Sequence, residues 1–222
     1  MEKQLPKTES QLVSAARTSG SAVLDPPQST IHPNLILAIC CTSLLIVGMD
    51  VTIVNVALPA IQKDLHARLA GLQWILDAYT LVVASFLMLA GSMSDRFGRR
   101  RVFQIGLGVF TLGSLLCSRA ATIEQLIGFR AVQGLGAAFM LPAALSIVMN
   151  MFQEGADRNR ALGIWGGLGA AGATVGLIAG GFLTRYAGWQ YIFYLNVPIG
   201  VLALALTRRV VPESRLAEGL VG

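Results

Sequence analysis

The chain has 222 residues, of which 54% are hydrophobic and only 13% are charged. A soluble domain typically carries about 25% charged residues, so the composition argues against a soluble globular enzyme, a disordered chain and a coiled coil. The net charge is +5. In so apolar a chain, an excess of lysine and arginine indicates membrane topology and contact with anionic lipid, and no nucleic-acid partner is expected.

Six apolar runs predict six transmembrane helices, because a helix needs roughly 20 apolar residues to cross a bilayer. No alternation of period two favours strands, so the predicted fold class is an all-α, polytopic membrane protein. Residues 1–33 are polar and rich in proline, which predicts a disordered cytoplasmic tail. Residues 34–208 are predicted to form the bundle and residues 209–222 a cytoplasmic C-terminal segment. The runs are 35–58, 72–93, 102–117, 123–149, 161–183 and 191–206.

Lysine and arginine are distributed unequally between the two sides of the predicted bundle. The tail and the loops on its side carry twelve of them, whereas the opposite loops carry Lys63, Arg68, Arg119 and Arg185. Because cytoplasmic loops are enriched in these residues, the distribution predicts a multi-pass protein of the plasma (inner) membrane with both termini in the cytoplasm.

Three ionisable side chains fall inside the apolar runs: Asp50 in the first, Asp77 in the second and Arg130 in the fourth. Such residues are costly in lipid and are usually functional. Their depths predict that all three meet at one level in the outer half of the bundle. We hypothesise that one aspartate pairs with Arg130 and stays charged, while the other takes up and releases a proton. The alternatives are a fixed Asp50–Arg130 pair that only orders the bundle, and an interfacial Asp77 wetted from outside.

The link between the second and third runs combines glycine, aspartate and arginine. Residues 91–101 read GSMSDRFGRRR. Glycine permits the close approach and the unusual dihedral angles of so short a connection, and Asp95 can cap the turn. The arginines are expected to hold the loop at anionic headgroups.

Five segments carry distinctive patterns of glycine, charged and amide residues. They are Gly91-x-x-x-Asp95-Arg96-x-Gly98-Arg99-Arg100, DVTIVNVALP at 50–59, RAVQGLGAA at 130–138, Gly172-x-x-x-Gly176-Leu177-x-x-Gly180-Gly181, and WQYIFYLNVPIG at 189–200. Taken in chain order, they resemble the motifs of the major facilitator superfamily, and in particular those of its drug:proton antiporters of the long multidrug-efflux branch. The resemblance covers about residues 35–215.

The resemblance implies a fold of two inverted three-helix repeats and a role for each matching position. Asp50 and Arg130 would take part in proton coupling. Asp77, Asn55 and Gln133 would contribute to substrate binding, with Asp77 recognising cationic compounds. A conformational-switch loop would comprise Gly91, Asp95, Arg96, Gly98, Arg99 and Arg100. Helix packing is assigned to Gly172, Gly176, Gly180 and Gly181.

Two positions depart from the family pattern. Leu177 stands where the fifth-span motif usually has proline, and Gln190 stands where the sixth-span signature usually has arginine. Gly172, Gly176 and Gly180 still recur at every fourth residue, so close packing along one helix face is expected.

The function implied is proton-coupled efflux of amphipathic or cationic drugs across a lipid bilayer. The chain corresponds to the amino-terminal half only, so a second transporter half, or a second copy of this chain, is a further expected partner. The alternative is a truncated, non-transporting fragment or an interaction subunit of a full-length transporter. An enzyme is not expected, because His32 and His66 lie outside the spans without ligand-type spacing. Neither a cofactor nor a metal ion is expected.

Overall fold

Six α-helices make up most of residues 33–210, the part of the chain that the computed structural model describes. The tail predicted for residues 1–33 lies outside the described residues except for Pro33, and so does the predicted C-terminal segment from residue 211 onwards. The helices are α1 (Pro33–Asp64), α2 (Leu69–Phe97), α3 (Arg99–Cys117), α4 (Ile123–Met151), α5 (Ala156–Tyr186) and α6 (Gln190–Val210).

Most of the helices extend beyond the apolar runs that predict them, with added residues that are largely polar. The first helix, for example, continues through Pro59 to Asp64 and ends in exposed polar residues. Five of the helices are long and apolar enough to cross a bilayer. The remaining helix, α3, has 19 residues and begins with three arginines. The all-α, polytopic fold class predicted from the sequence is confirmed.

The helix contacts follow the pattern of two three-helix repeats. The first helix packs most extensively against α5, and α2 packs in the same way against α4, while α3 also contacts α6. If α1, α2 and α3 are exchanged with α4, α5 and α6, respectively, the α1–α5 pair becomes the α4–α2 pair. The α3–α6 pair stays the same. This correspondence is the one that inverted repeats produce.

Two apolar clusters fill the interior of the bundle, and several helices pass from one cluster to the other. On α1 the change falls between Ile46 and Ile53, and on α4 it falls between Leu126 and Ala137. The buried charged residues of both helices lie in these intervals. The fold therefore leaves a polar layer between two apolar regions, and that layer contains the candidate site.

Glycine allows α1 and α5 to approach each other closely. Gly172, Gly176 and Gly180 are buried on the face of α5 that meets α1. A Cβ atom placed on Gly176 would lie 2.6 Å from the carbonyl oxygen of Met49. By contrast, Gly181 is exposed and has open space around it, because successive helical residues point about 100° apart. The structure thus places three of the four predicted packing glycines at this contact and the fourth outside it.

We predict that Gly176→Ala destabilises the bundle, because the added methyl group forces the α1 and α5 backbones apart. Overpacking of this kind costs about 1–3 kcal/mol. The measurement is the free energy of unfolding of the purified chain in mild detergent.

The matched control for this variant is Gly181→Ala on the same helix. Because its methyl group enters open space and alanine favours helix, Gly181→Ala should unfold no more easily than the unaltered chain. Equal stability of the two variants would contradict the close contact between α1 and α5.

Candidate functional site

An aspartate on α1 and an arginine on α4 form an ion pair inside the bundle. Nη1 of Arg130 lies 2.6 Å from Oδ2 of Asp50, and the side chains are only 1% and 0% exposed, respectively. An exposed ion pair contributes little to stability. Here neither charge reaches solvent, so each depends on the other for compensation.

A glutamine ties both members of the pair together. Gln133 lies one turn after Arg130 on α4 and accepts a hydrogen bond from its Nη1 at 2.7 Å. The same amide donates to Oδ1 of Asp50 at 2.8 Å and to the hydroxyl of Ser114 on α3 at 2.7 Å. Gln133 is completely buried, so its amide serves the ion pair and is not presented to a substrate cavity in this conformation.

The guanidinium of Arg130 also contacts α2. Its Nε donates to the backbone carbonyl of Ile75 at 3.3 Å, and its Cζ lies 4.1 Å from the centre of the Tyr79 ring. A desolvated cation over an aromatic face gains roughly 2 kcal/mol or more. These contacts fix the position of the arginine and leave it balanced by a single carboxylate, that of Asp50.

An asparagine on α6 completes the surroundings of the carboxylate. Nδ2 of Asn196 donates to Oδ1 of Asp50 at 3.1 Å. Asn196 is fully buried, and its Oδ1 has no hydrogen-bond partner among the described residues. Asp50 therefore accepts three hydrogen bonds, from Arg130, Gln133 and Asn196, and five helices contribute to the polar layer.

Asp77 lies outside this network, in contrast to the expectation that all three ionisable residues meet. Its carboxylate forms no ion pair or hydrogen bond with any other residue in the 33–210 range, and it is half-buried. Ile75 and Tyr79 face Arg130. Asp77 lies two positions from each, and two helical positions correspond to a rotation of roughly 200°, so its side chain points away from the ion pair.

Asn55 is likewise separate from the polar layer. It is exposed and donates to the carbonyl of Val51 within its own helix at 2.7 Å. The exposed side chains of Val51 and Asn55 lie one turn apart, so they share an open face of α1. Asp77 and Asn55 thus remain accessible, whereas Gln133, which the sequence groups with them, does not.

The predicted switch loop forms a tight turn between α2 and α3. Gly98 joins the helices with a φ of 98°, which only glycine adopts readily. Asp95 pairs with Arg99 at 3.3 Å, and Arg100 donates to the carbonyl of Arg208 at the end of α6, at 2.6 Å. By contrast, a Cβ atom on Gly91 would meet nothing within 4 Å, so no contact within the described bundle requires glycine there.

Three residues of the site have no role predicted from the sequence: Asn196, Ser114 and Tyr79. The signal for Asn196 is an amide inside an apolar run, since polar groups in lipid commonly bond across helices. Serine and tyrosine are too common near helix ends for such a signal. Only the register of α2 and α3 shows that Tyr79 and Ser114 face the ion pair.

A protein-family model matches most of the chain. The family model described as "Major Facilitator Superfamily" matches residues 40–220. The chain belongs to the major facilitator superfamily. Its fold is similar to that of a solved structure, the peptide transporter POT in complex with sulfate. The TM-score is 0.66 at 20% sequence identity, over 79% of this chain and 36% of that one.

Several curated relatives are named as antibiotic-resistance proteins. The methylenomycin A resistance protein of Streptomyces coelicolor is 39% identical over 91% of this chain and 44% of its own length. The puromycin resistance protein pur8 of Streptomyces alboniger is 42% identical over 81% and 35%. The tetracenomycin C resistance and export protein of Streptomyces glaucescens is 40% identical over 77% and 32%. The chain thus spans less than half the length of these relatives and matches their amino-terminal portion.

We predict that Asp50→Asn strongly destabilises the bundle, because it leaves the buried cation of Arg130 without a counter-charge. Breaking one side of a buried pair costs about 3–5 kcal/mol. The double variant Asp50→Asn, Arg130→Gln removes both charges and should recover part of this loss. The measurement is again the free energy of unfolding in detergent.

The control is Glu154→Gln, which removes the carboxylate of an exposed ion pair with Arg158 and should have little effect. If Asp50→Asn unfolds as the control does, the carboxylate and the guanidinium do not depend on each other.

Proposed function

We propose that this chain forms one half of a proton-coupled exporter of amphipathic or cationic drugs. The observation that supports the proposal most directly is the buried Asp50–Arg130 pair, because replacing a buried ion pair with apolar residues is often neutral or stabilising. A buried ion pair at the centre of an apolar bundle therefore fits a role in which one member changes its charge during transport better than it fits a role in stability. Two relatives are named as export proteins, one for tetracenomycin C and one for cephamycin, and this supports export as the direction of transport.

Proton coupling, in this proposal, uses the carboxylate of Asp50, the aspartate that pairs with Arg130. This differs from the sequence hypothesis, in which the unpaired aspartate takes up the proton, because Asp77 lies away from the ion pair. Protonation of Asp50 weakens its attraction to Arg130 and leaves the cation uncompensated, so the two charge states favour different packing around the polar layer. A substrate cation arriving from the cytoplasm and a proton arriving from outside would then occupy the transporter alternately. Among the described residues, Arg130 is the counter-ion of Asp50.

Substrate recognition is assigned to the open face of the bundle. Asp77 is half-buried and has no partner among the described side chains, which leaves its charge available to an organic cation. Asn55 lies on an exposed face of α1 and can donate or accept a hydrogen bond. Gln133 contributes only if its bonds to Asp50 and Arg130 are broken during the cycle.

Completion of the transporter requires a second six-helix half, either on the same polypeptide or on another one. In this superfamily the substrate site lies between two such halves. Exposed apolar side chains on α2 and α5, such as Met88 and Ile178, provide surface for lipid or for that half. We propose the plasma membrane as the location, with both termini in the cytoplasm, from the lysine and arginine distribution.

We predict that Asp50→Asn abolishes proton-driven accumulation of a fluorescent organic cation such as ethidium. The assay uses everted membrane vesicles with an acid lumen, prepared with this chain alone and with this chain plus the carboxyl-terminal half of the Streptomyces coelicolor relative. Accumulation should fall at least tenfold in Asp50→Asn. Asp77→Asn should instead weaken the apparent affinity for the cation, because it removes the proposed binding charge.

The control variant is Asp157→Asn, which changes an exposed acidic residue in the first turn of α5 and should accumulate ethidium normally. Accumulation that persists in both Asp50→Asn and Asp77→Asn would contradict the assigned roles. A lack of gradient-dependent flux in both vesicle preparations would contradict the proposed export and favour an interaction subunit.

A further inference from the structure

Among the residues that donate to Asp50, Asn196 is the one with a buried side-chain atom left without a partner in the described bundle. The hydroxyl of Tyr79 is also buried without a described partner, but it forms no hydrogen bond with Asp50. Nδ2 of Asn196 donates to Oδ1 of Asp50 at 3.1 Å, while its own Oδ1 is buried with no partner among the described residues. A buried acceptor without a partner costs about 1–3 kcal/mol. The orientation of the amide follows from the ionised carboxylate, which can only accept.

A protonated Asp50 would reverse this requirement at one of its two oxygens. A proton on Oδ2 would face Nη1 of Arg130, which is itself a donor. A proton on Oδ1 would face the amide nitrogens of Gln133 and Asn196 instead. The second position is less unfavourable, because a neutral amide can rotate and present its oxygen whereas a guanidinium has no acceptor.

Of these two amides, only Asn196 is free to rotate. Gln133 is fixed at both ends, since its Oε1 accepts from Arg130 and its Nε2 also donates to Ser114. Turning it would set two donors against each other. Rotation of Asn196 breaks only the bond to Asp50, and it brings the partnerless Oδ1 to the oxygen that would carry the proton.

We propose that Asn196 is a positioning residue that serves both charge states of Asp50: its amide donates to the carboxylate and, after rotation, accepts from the carboxylic acid. The inference rests on the proposed function, in which Asp50 takes a proton from the aqueous phase and returns it there. The proton adds to Oδ1 and leaves from it, and no other bond is made or broken. Asn196 thus stabilises the neutral acid, whereas the other described hydrogen-bond partners of Asp50, Arg130 and Gln133, act as donors to it.

The other titratable groups near Asp50 come from three helices. Arg130 on α4 is the counter-ion, and Tyr79 on α2 and Cys117 on α3 interact with Asp50 electrostatically. The described charged residues of α5 and α6 lie near the ends of those helices. Changes at Asn196 therefore alter the hydrogen bonding of Asp50 without removing a charge.

The test is the infrared difference spectrum of the purified chain in lipid, recorded between neutral and acid pH. The carbonyl stretch of protonated Asp50 is identified by its loss in Asp50→Asn. In Asn196→Leu, which keeps the branching at Cγ but has no acceptor, this band should move to higher wavenumber because the acid loses its hydrogen bond. The control is Thr207→Val. Buried Thr207 lies on the same helix, and its described side-chain hydrogen bond is to the carbonyl of Ala203. In this variant the band of protonated Asp50 should stay in place.

A band that is unchanged in Asn196→Leu would overturn the role of Asn196 while leaving Asp50 as the protonated group. If no band is lost in Asp50→Asn, then Asp50 takes up no proton, and the inference is overturned together with the coupling role of Asp50. Should Asn196→Leu fail to fold, asparagine carrying ¹³C in the side-chain carbonyl gives the same answer without altering the site. Its band must shift on acidification in the unaltered chain and not in Asp50→Asn.

In the vesicle assay, Asn196→Leu should reduce proton-driven ethidium accumulation at least tenfold while the apparent affinity for ethidium stays unchanged. Thr207→Val should behave as the unaltered chain does. Lower accumulation at an unchanged apparent affinity distinguishes a positioning role for Asn196 from a general loss of folded protein. A loss of folded protein would lower the amount of ethidium bound as well.

Discussion

A carboxylate and a guanidinium buried in an apolar bundle set the main constraint on this structure. Neither charge is stable there alone, and each also needs its remaining hydrogen-bonding capacity filled. The bundle meets this requirement by converging several helices on one point. Asp50 receives three donors from α4 and α6, and Arg130 is held by α1, α2 and α4. The relative positions of these helices are therefore coupled to the charge state of one residue.

Close helix packing makes this convergence possible. Gly134 lies against the backbone of Tyr79, and Gly113 lies against Gln133, so α2 and α3 can approach α4 near Arg130. Larger side chains at these glycines would move the aromatic ring and the amide away from the ion pair. Gly134, in the segment 130–138, and Gly113 on α3 thus contribute to the site indirectly, by setting the distances over which the polar side chains must reach.

The fold and the central pair could be predicted from the sequence, because charged residues inside long apolar runs are few and costly. The rest of the site depends on helix register. Asp77 looks equivalent to Asp50 in sequence, yet its helix turns Ile75 and Tyr79 toward Arg130 and leaves Asp77 on another face. Asn196 was inconspicuous because an amide carries no charge, and its role emerges only from the pairing of α6 with α1. The first helix extends beyond the predicted run 35–58, because it continues through Pro59 to Asp64.

The departure at Leu177 can be understood from the contact between α1 and α5. In a regular helix the N–H group of residue 177 bonds to the carbonyl of residue 173, and a proline there would leave that carbonyl free. The hydroxyl of Thr52 on α1 lies 3.0 Å from the carbonyl oxygen of Ala173, and it also lies within hydrogen-bond distance of the carbonyls of Gly48 and Met49 in its own helix. Thr52 therefore has a donor within reach of the carbonyl that a proline would free. Leu177 itself is exposed. The leucine therefore keeps α5 regular without disturbing its buried glycine face, and its effect falls on the open side of the bundle.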